Sequence, residues 1–258
     1  MFGSQRWAIY YFSTLLFVYL SFIHYLCRAM KIVSYNINIS RPWKINRLLA
    51  MDADVLVVPE ITCPEDAHLP ANYEMKWYGV EYDGDKKWKG LGVIWKKGMG
   101  RIPDWINPTM TYSIPLIIDD YMILGFWPTR NADGSDKRSY PQIAQEMIIE
   151  YAPHFKDYKT IIIGDFNCYV GQSGSKKYGD MVQVNEVLES LGLHSLYHQQ
   201  TGESLGKETT PTFYFRFHES EPFFLDYAYT NFPVSSFRML PWDKEMSDHI
   251  GLEVVLSR

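Results

Sequence analysis

Cysteine is scarce in this sequence. The three cysteines, Cys27, Cys63 and Cys168, show neither the paired spacing of a metal-binding motif nor a disulfide framework. Such sparse cysteine usage is typical of a reducing compartment. The sequence also lacks an excess of basic residues: its net charge is -5, which argues against a broad cationic surface that holds nucleic acid through phosphates alone. A substrate that carries phosphate must therefore be met by a local cation.

No linker, internal repeat or low-complexity tract divides residues 30–258, so we predict one domain there. Apolar residues make up 47% of the chain and aromatic residues 16%. This composition is ample for a buried core and excludes a disordered chain.

Residues 1–29 form a separate apolar N-terminal segment. Its residues 7–27 carry no formal charge and are long enough to span a bilayer as a helix. Three interpretations stay open: a membrane anchor, a cleaved signal peptide, or sequence upstream of a true start at Met30. A start at Met30 predicts a cytoplasmic protein, whereas an anchor predicts membrane association through residues 7–27.

From Met30 onward, predicted strands alternate with predicted helices. Strands are predicted at residues 31–37, 54–58, 92–95, 121–126, 161–163, 212–217, 223–230 and 250–256, and helices at residues 43–51, 140–151 and 181–191. Residues 82–90 are rich in Lys, Asp and Gly and are predicted as a hairpin loop. This order is compatible with an α/β protein.

Polar side chains follow several of these apolar runs. The clearest case is the stretch 161–167, Ile-Ile-Ile-Gly-Asp-Phe-Asn, in which a buried strand delivers Asp165 and Asn167 to its end. A carboxylate at the end of a buried strand is costly unless a metal or a hydrogen-bond donor meets it, so the stretch predicts partners elsewhere. Similar placements are found for Asn36, Glu60, Asp226 and the run Ser247-Asp248-His249.

These motifs, in this order, resemble those of the endonuclease/exonuclease/phosphatase family over residues 30–256. Ser34-Tyr35-Asn36 is similar to its first motif, Pro59-Glu60 to its metal-binding glutamate, Gly164-Asp165-Phe166-Asn167 to its central motif, Leu225-Asp226-Tyr227 to its late aspartate, and Ser247-Asp248-His249 to its closing signature. The resemblance implies a four-layer α/β sandwich, in which two mixed β-sheets pack face to face between flanking helices.

The resemblance also implies roles for individual residues. Glu60, Asp248 and Asn36 would hold Mg²⁺, with Mn²⁺ as an alternative. The catalytic residues would be Asp165, Asn167, Asp226 and His249, with Asp226 orienting His249, and the substrate would be bound by Asn36, Asn167, Arg130 and Trp127. The implied reaction is hydrolysis of a phosphodiester, with nucleic acid as the expected substrate, by in-line attack of water. Either Asp165 or His249 could take the proton from that water.

Two positions depart from the family pattern. Asn38 stands two residues after Asn36, where abasic-site enzymes often carry an acid, which argues against an abasic-site enzyme. Many relatives carry a histidine or tyrosine where this chain has Trp127, and an indole cannot act as an acid or base near neutral pH. Two alternatives therefore stay open: a phosphatase or phosphodiesterase acting on a lipid or small phosphoester, and a catalytically silent binding module of the same fold. The sequence implies no obligate protein partner, and endonuclease and exonuclease action are not distinguished.

Overall fold

The structure is a computed structural model that describes residues 29–82, 86–130, 135–172 and 177–257. The apolar run predicted at residues 7–27 lies outside this part of the chain. Among the described residues, no helix is long and apolar enough to cross a bilayer.

One of the two large sheets has six strands. Their bounds are β1 (Met30–Ser34), β2 (Val55–Ile61), β3 (Tyr73–Tyr82), β4 (Lys86–Lys96), β12 (Ser236–Met239) and β13 (Leu252–Leu256). Their spatial order is β12-β13-β1-β2-β4-β3. The central β1 and β2 are parallel, and the other neighbouring strands are antiparallel, so the sheet is mixed.

The second sheet has five strands in the order β5-β6-β7-β11-β8. Their bounds are β5 (Ser113–Ile118), β6 (Tyr121–Phe126), β7 (Lys159–Asp165), β8 (His194–Ser195) and β11 (Asp226–Thr230). Here β6 and β7 form the parallel pair within an otherwise antiparallel sheet. A small separate sheet pairs β9 (Phe213–Tyr214) with β10 (Pro222–Phe223).

Helices cover the outer faces of the two sheets. They are α1 (Pro42–Leu49), α2 (Pro64–Ala67), α3 (Tyr140–Tyr151), α4 (Met181–Ser190) and α5 (Leu196–Thr201), with short 3-10 helices at Ala152–His154 and Phe215–Phe217. Helix α3 follows an N-cap at Ser139, whose side chain accepts a hydrogen bond from Gln142 N, and α4 begins with a capping box at Asp180.

Both faces of the central strand β2 are buried, and successive side chains point to opposite faces of the sheet. Val55 and Val57 belong to the main core shared with the second sheet, whereas Leu56 and Val58 pack in a second cluster with residues of α1. The sheets meet closely at Gly125, where a Cβ atom would lie 2.5 Å from Val93 Cγ2. The predicted α/β sandwich of two mixed sheets is confirmed.

Several predicted bounds were wrong. The hairpin loop is shorter than the predicted residues 82–90, because backbone pairing of β3 with β4 continues as far as Tyr82 and Lys86. The strand predicted at residues 223–230 is interrupted between β10 and β11. There the hydroxyl oxygen of Thr212 accepts hydrogen bonds from the backbone N–H groups of Leu225 and Asp226, in place of a strand partner.

The run predicted as a strand at residues 212–217 is also mostly not a strand. It contains the two-residue β9 and then turns, with Arg216 and Phe217 at positive φ.

Candidate active site

The topology brings the polar strand ends to one end of the sandwich. The parallel strands β1 and β2 both lead toward it, and so do β6 and β7 in the other sheet. Strands β11 and β13 run antiparallel to these and begin at the same end, since Asp226 pairs with Asp165 and Leu252 pairs with Ser34. Residues far apart in sequence therefore meet there.

Asn36 links the two sheets at this end. Its side-chain nitrogen donates to Asp165 Oδ2 at 2.9 Å and lies 3.4 Å from Glu60 Oε1. Its amide oxygen accepts from the backbone N–H of Asn38 at 3.0 Å. The amide nitrogen thus donates between two carboxylates, and the amide oxygen accepts one hydrogen bond and keeps a second lone pair. The role of Asn36 as a metal ligand stays a prediction.

Asp226 and His249 form a buried pair beside Asp165. His249 Nδ1 lies 2.9 Å from Asp226 Oδ2, and His249 Nε2 lies 3.9 Å from Asp165 Oδ2. His249 is 5% exposed, and the two aspartates are almost fully buried. The imidazole is therefore held at one nitrogen and presents the other toward Asp165.

These three groups shift one another's pKa values. Burial raises the pKa of Asp165 to about 7, with the charge of Asp226 adding to the rise and that of His249 opposing it. Burial would lower the pKa of His249, but the charges of Asp226 and Asp165 and the hydrogen bond to Asp226 outweigh it and raise the pKa to about 10. The pKa of Asp226 is also raised, mainly by burial. Shifted pKa values in a buried cluster of mutually charged groups are typical of catalytic sites.

A β-bulge directs Glu60 into the site. The register of β2 against β4 shifts between Pro59 and Ile61, and Glu60 has a positive φ of 65°. A glutamate in this left-handed region is uncommon, and such strained backbone often occurs at functional sites. Glu60 Oε1 accepts a hydrogen bond from Asn36. Glu60 Oε2 lies 2.9 Å from Lys89 Nζ.

The central motif needs its glycine at Gly164. The chain passes so close to β6 that a Cβ atom there would lie 1.8 Å from the carbonyl oxygen of Phe126. Beyond it, Asp165 Oδ1 accepts from Asn167 N at 2.9 Å, and Asn167 adopts a left-handed φ of 51°. The side chain of Asn167 donates to Pro128 O at 3.1 Å, so a bond to substrate would require this contact to be shared or exchanged.

Trp127 and Arg130 occupy different positions in the loop after β6. Trp127 is 4% exposed, packs edge-on against Tyr112 at 5.3 Å between ring centroids, and has Lys89 Nζ 5.7 Å from its ring centroid. A substrate therefore has little access to the indole. Arg130 is exposed, with its guanidinium 5.0 Å from the ring centroid of Tyr140.

The donor chemistry at this end of the fold fits a hard divalent cation. Glu60 and Asp248, the predicted ligands, would offer carboxylate oxygens, which Mg²⁺ prefers. Burial lowers the pKa of Lys44, and the negative charges of Asp248 and Glu60 oppose that shift. Among the described residues, a different group is arranged closely enough to share an ion. It consists of Asp165, Asp226 and His249, whose possible ligand atoms, one from each residue, all lie within 4.8 Å of one another. The tightest cluster thus differs from the predicted ligand set.

Sequence reasoning missed three residues at the site. Lys44 is 7% exposed and donates to the carbonyl oxygens of Ile37 and Asn38, which ties α1 to the loop after β1. Lys89 contacts Glu60, and Thr212 holds the backbone of Asp226. A lysine on the apolar face of a predicted helix was a usable signal for Lys44, whereas the sequence contained none for Lys89 or Thr212.

An aromatic wall, formed by Phe213, Phe223 and Tyr169, extends from the histidine. Phe213 lies 4.5 Å from His249 between ring centroids, and Phe223 lies 6.2 Å from Phe213 and 4.9 Å from Tyr169. All three aromatic side chains are half-buried. The wall therefore offers flat apolar surface next to the polar cluster.

Comparisons with known proteins agree with this architecture at the level of fold. No protein-family model and no curated protein sequence matches the chain. An AP endonuclease from Archaeoglobus fulgidus superposes with a TM-score of 0.62 at 16% identity, covering 88% of this chain and 99% of the other. An endonuclease/exonuclease/phosphatase protein from Beutenbergia cavernae gives 0.60 at 13% identity, covering 89% and 72%.

A humanized TDP2 of D. rerio is also similar, with a TM-score of 0.55 at 13% identity, covering 88% of this chain and 98% of the other. The fold of this chain is therefore that of the endonuclease/exonuclease/phosphatase proteins, as the sequence motifs predicted.

Proposed function

We propose that this chain, which has the fold of the endonuclease/exonuclease/phosphatase proteins, is a Mg²⁺-dependent phosphodiesterase that cleaves nucleic acid by in-line attack of water. The proposal covers residues 30–258 as one catalytic domain. The observation that carries it is the buried cluster of Asp165, Asp226 and His249, connected to Glu60 through Asn36.

Asp165 is the proposed base. Its pKa of about 7 suits a group that must accept a proton from water near neutral pH. Hydrogen bonds from Asn36 and from the backbone N–H of Asn167 fix the orientation of the Asp165 carboxylate. A water bound to this carboxylate would therefore have a defined position. His249 is the alternative base, but its raised pKa favours a protonated ring at neutral pH.

Protonated His249 is instead suited to stabilise negative charge on the phosphate. Asp226 holds its Nδ1, which leaves the Nε2 proton for a phosphate oxygen. Asn36 and Asn167 would add neutral hydrogen bonds to such oxygens by sharing or exchanging their present acceptors, which are Asp165 and Glu60 for Asn36 and Pro128 O for Asn167. Donors aimed at phosphate oxygens stabilise the charge of the transition state.

Glu60 and Asp248 would hold the divalent ion. When bound, that ion would neutralise charge developing on the phosphate oxygens. The protein carries a net charge of -5, so such local neutralisation matters more here than in a basic nuclease. Arg130, exposed on the loop after β6, could add a positive charge for the flanking phosphates.

The aromatic wall supports nucleic acid as the substrate. Phe213 stands beside His249, where a nucleotide adjoining the scissile phosphate would lie, and bases stack on aromatic rings with little dependence on sequence. A small phosphoester without a base would make no use of this surface.

A second candidate is a phosphodiesterase acting on lipid. It is favoured by two exposed apolar side chains, Ile39 at 42% and Trp43 at 45%, close in sequence to Asn36. Such residues could enter a membrane interface, and the apolar run at residues 7–27 would add an anchor if the mature protein retains it. This candidate would place the protein at a membrane, whereas a start at Met30 favours the cytoplasm.

Cleavage of supercoiled plasmid tests the first proposal. Purified protein with Mg²⁺ should nick or degrade the plasmid, and EDTA or Asp165→Asn should abolish this activity. Asp54→Asn is a matched control, because Asp54 is also a buried acid, 4% exposed. It pairs with Lys96 and precedes the first residue of β2, whereas Glu60 lies near the last residue of that strand.

Two other outcomes would favour a different function. Intact plasmid together with hydrolysis of phosphodiester lipid in vesicles would favour the second candidate. Binding of Mn²⁺ without hydrolysis of any of these substrates would favour a binding module and refute the proposed chemistry.

A further inference from the structure

Lys89 makes an ion pair with the carboxylate that is proposed to hold the metal. Its Nζ lies 2.9 Å from Glu60 Oε2, and the same ammonium lies 5.7 Å from the ring centroid of Trp127. The side chain of Lys89 is 34% exposed, whereas that of Glu60 is 15% exposed. The ammonium is therefore at the mouth of the site, with the carboxylate and the indole behind it.

Lys44 and Lys89 differ in how firmly their ammonium groups are held. Lys44 is buried and donates to two backbone carbonyl oxygens, those of Ile37 and Asn38, so moving it would break the loop after β1. Lys89 is half-exposed on a four-carbon stem, and within the part of the chain that the structure describes its ammonium contacts one carboxylate oxygen and one ring face. Lys89 is the cation that can change partners at low cost.

Its possible partners are close together. Asn36 Nδ2 lies within 3.4 Å of Glu60 Oε1 and 2.9 Å of Asp165 Oδ2, so Glu60 lies beside the carboxylate that is proposed to direct water at the phosphate. A substrate phosphate at that point would come within reach of a long, flexible ammonium side chain.

We propose that Lys89 is a substrate-binding residue that is shared between Glu60 and the phosphate. It competes with the divalent ion for Glu60, and it contacts a phosphate oxygen once the ion has taken the carboxylate. The face of Trp127 keeps the ammonium near the site in both positions. Trp127, where many relatives carry a histidine or tyrosine, thereby has a role in holding a cation. This inference rests on the proposed phosphodiesterase function.

The test is Lys89→Met, which keeps the length and apolar character of the stem and removes the charge. Binding of Mn²⁺ without substrate, followed by electron paramagnetic resonance, should become about fivefold tighter, the effect of removing a half-exposed ion pair. The KM for a short single-stranded oligonucleotide should rise by about tenfold, as expected for loss of one phosphate contact. Lys89→Arg should restore most of the oligonucleotide affinity.

The opposite directions of the two effects separate this role from structural damage, which would weaken both kinds of binding. Lys97→Met is the matched control, since Lys97 is an exposed lysine beyond the other end of β4, and it should change neither quantity. Unchanged Mn²⁺ affinity in Lys89→Met, with wild-type protein that binds Mn²⁺ and cleaves phosphodiesters, would overturn the inference alone. Wild-type protein that binds no Mn²⁺ would overturn the proposed function as well.

Discussion

Asp226→Asn tests the part of the site that is best defined. The substitution preserves the size of the side chain and leaves an oxygen that can still accept from His249, but it removes the negative charge. In the structure this charge lies 2.9 Å from His249 Nδ1 and is almost fully buried, at 2% exposure, so solvent screens it little. We expect the substitution to reduce catalysis because the imidazole loses the partner that keeps it oriented and protonated.

The size of the loss follows from the bond that is weakened. A buried hydrogen bond to a charged group contributes about 1.5–3 kcal/mol. Since about 1.4 kcal/mol corresponds to a tenfold change in rate, kcat should fall by about 10- to 150-fold. KM for a small substrate should change much less, because Asp226 acts on His249 and does not itself reach the phosphate.

The assay is hydrolysis of bis(4-nitrophenyl) phosphate at saturating Mg²⁺, with thermal unfolding followed by circular dichroism on the same samples. Asp54→Asn again supplies the control, because it removes the charge of a buried acid outside the site and reports only the stability cost. A folded Asp226→Asn protein with kcat within about twofold of wild type would refute the orienting role of Asp226, given the size of such hydrogen bonds.

Two further predictions concern the scaffold and the substrate. Gly164→Ala should destabilise the protein by about 3 kcal/mol in urea unfolding, because its Cβ would collide with the carbonyl oxygen of Phe126. Gly171 also has a positive φ, but no atom of the described residues beyond its chain neighbours lies within 4 Å of a Cβ placed there. Gly171→Ala should therefore cost clearly less, and equal losses would contradict the clash. Phe213→Ala should raise the KM for an oligonucleotide by about 5- to 100-fold through lost base stacking, with little change for bis(4-nitrophenyl) phosphate, and an equal rise for both substrates would argue against a stacking role.

Several elements were predictable because local sequence alone decides them. The helix at residues 140–151 and the strand at residues 121–126 have their predicted bounds, since capping residues and continuous apolar runs act within a few positions. The late strands were less predictable, because Thr212 interrupts the run at residues 223–230 through a contact from a distant segment.

The sequence by itself determined which chemical groups end the buried strands, because those motifs are local: Asp165 and Asn167 after one strand, Glu60 after another, His249 before the last. Only the tertiary structure decided how they meet, since hydrogen bonds between the sheets depend on strand order and register. Asn36 is thereby engaged between Asp165 and Glu60, and Lys89 is brought to Glu60 from a strand whose own residues gave no sign of it. A side chain acquires such partners only when the whole sandwich closes, because residues distant in sequence come within bonding distance only then.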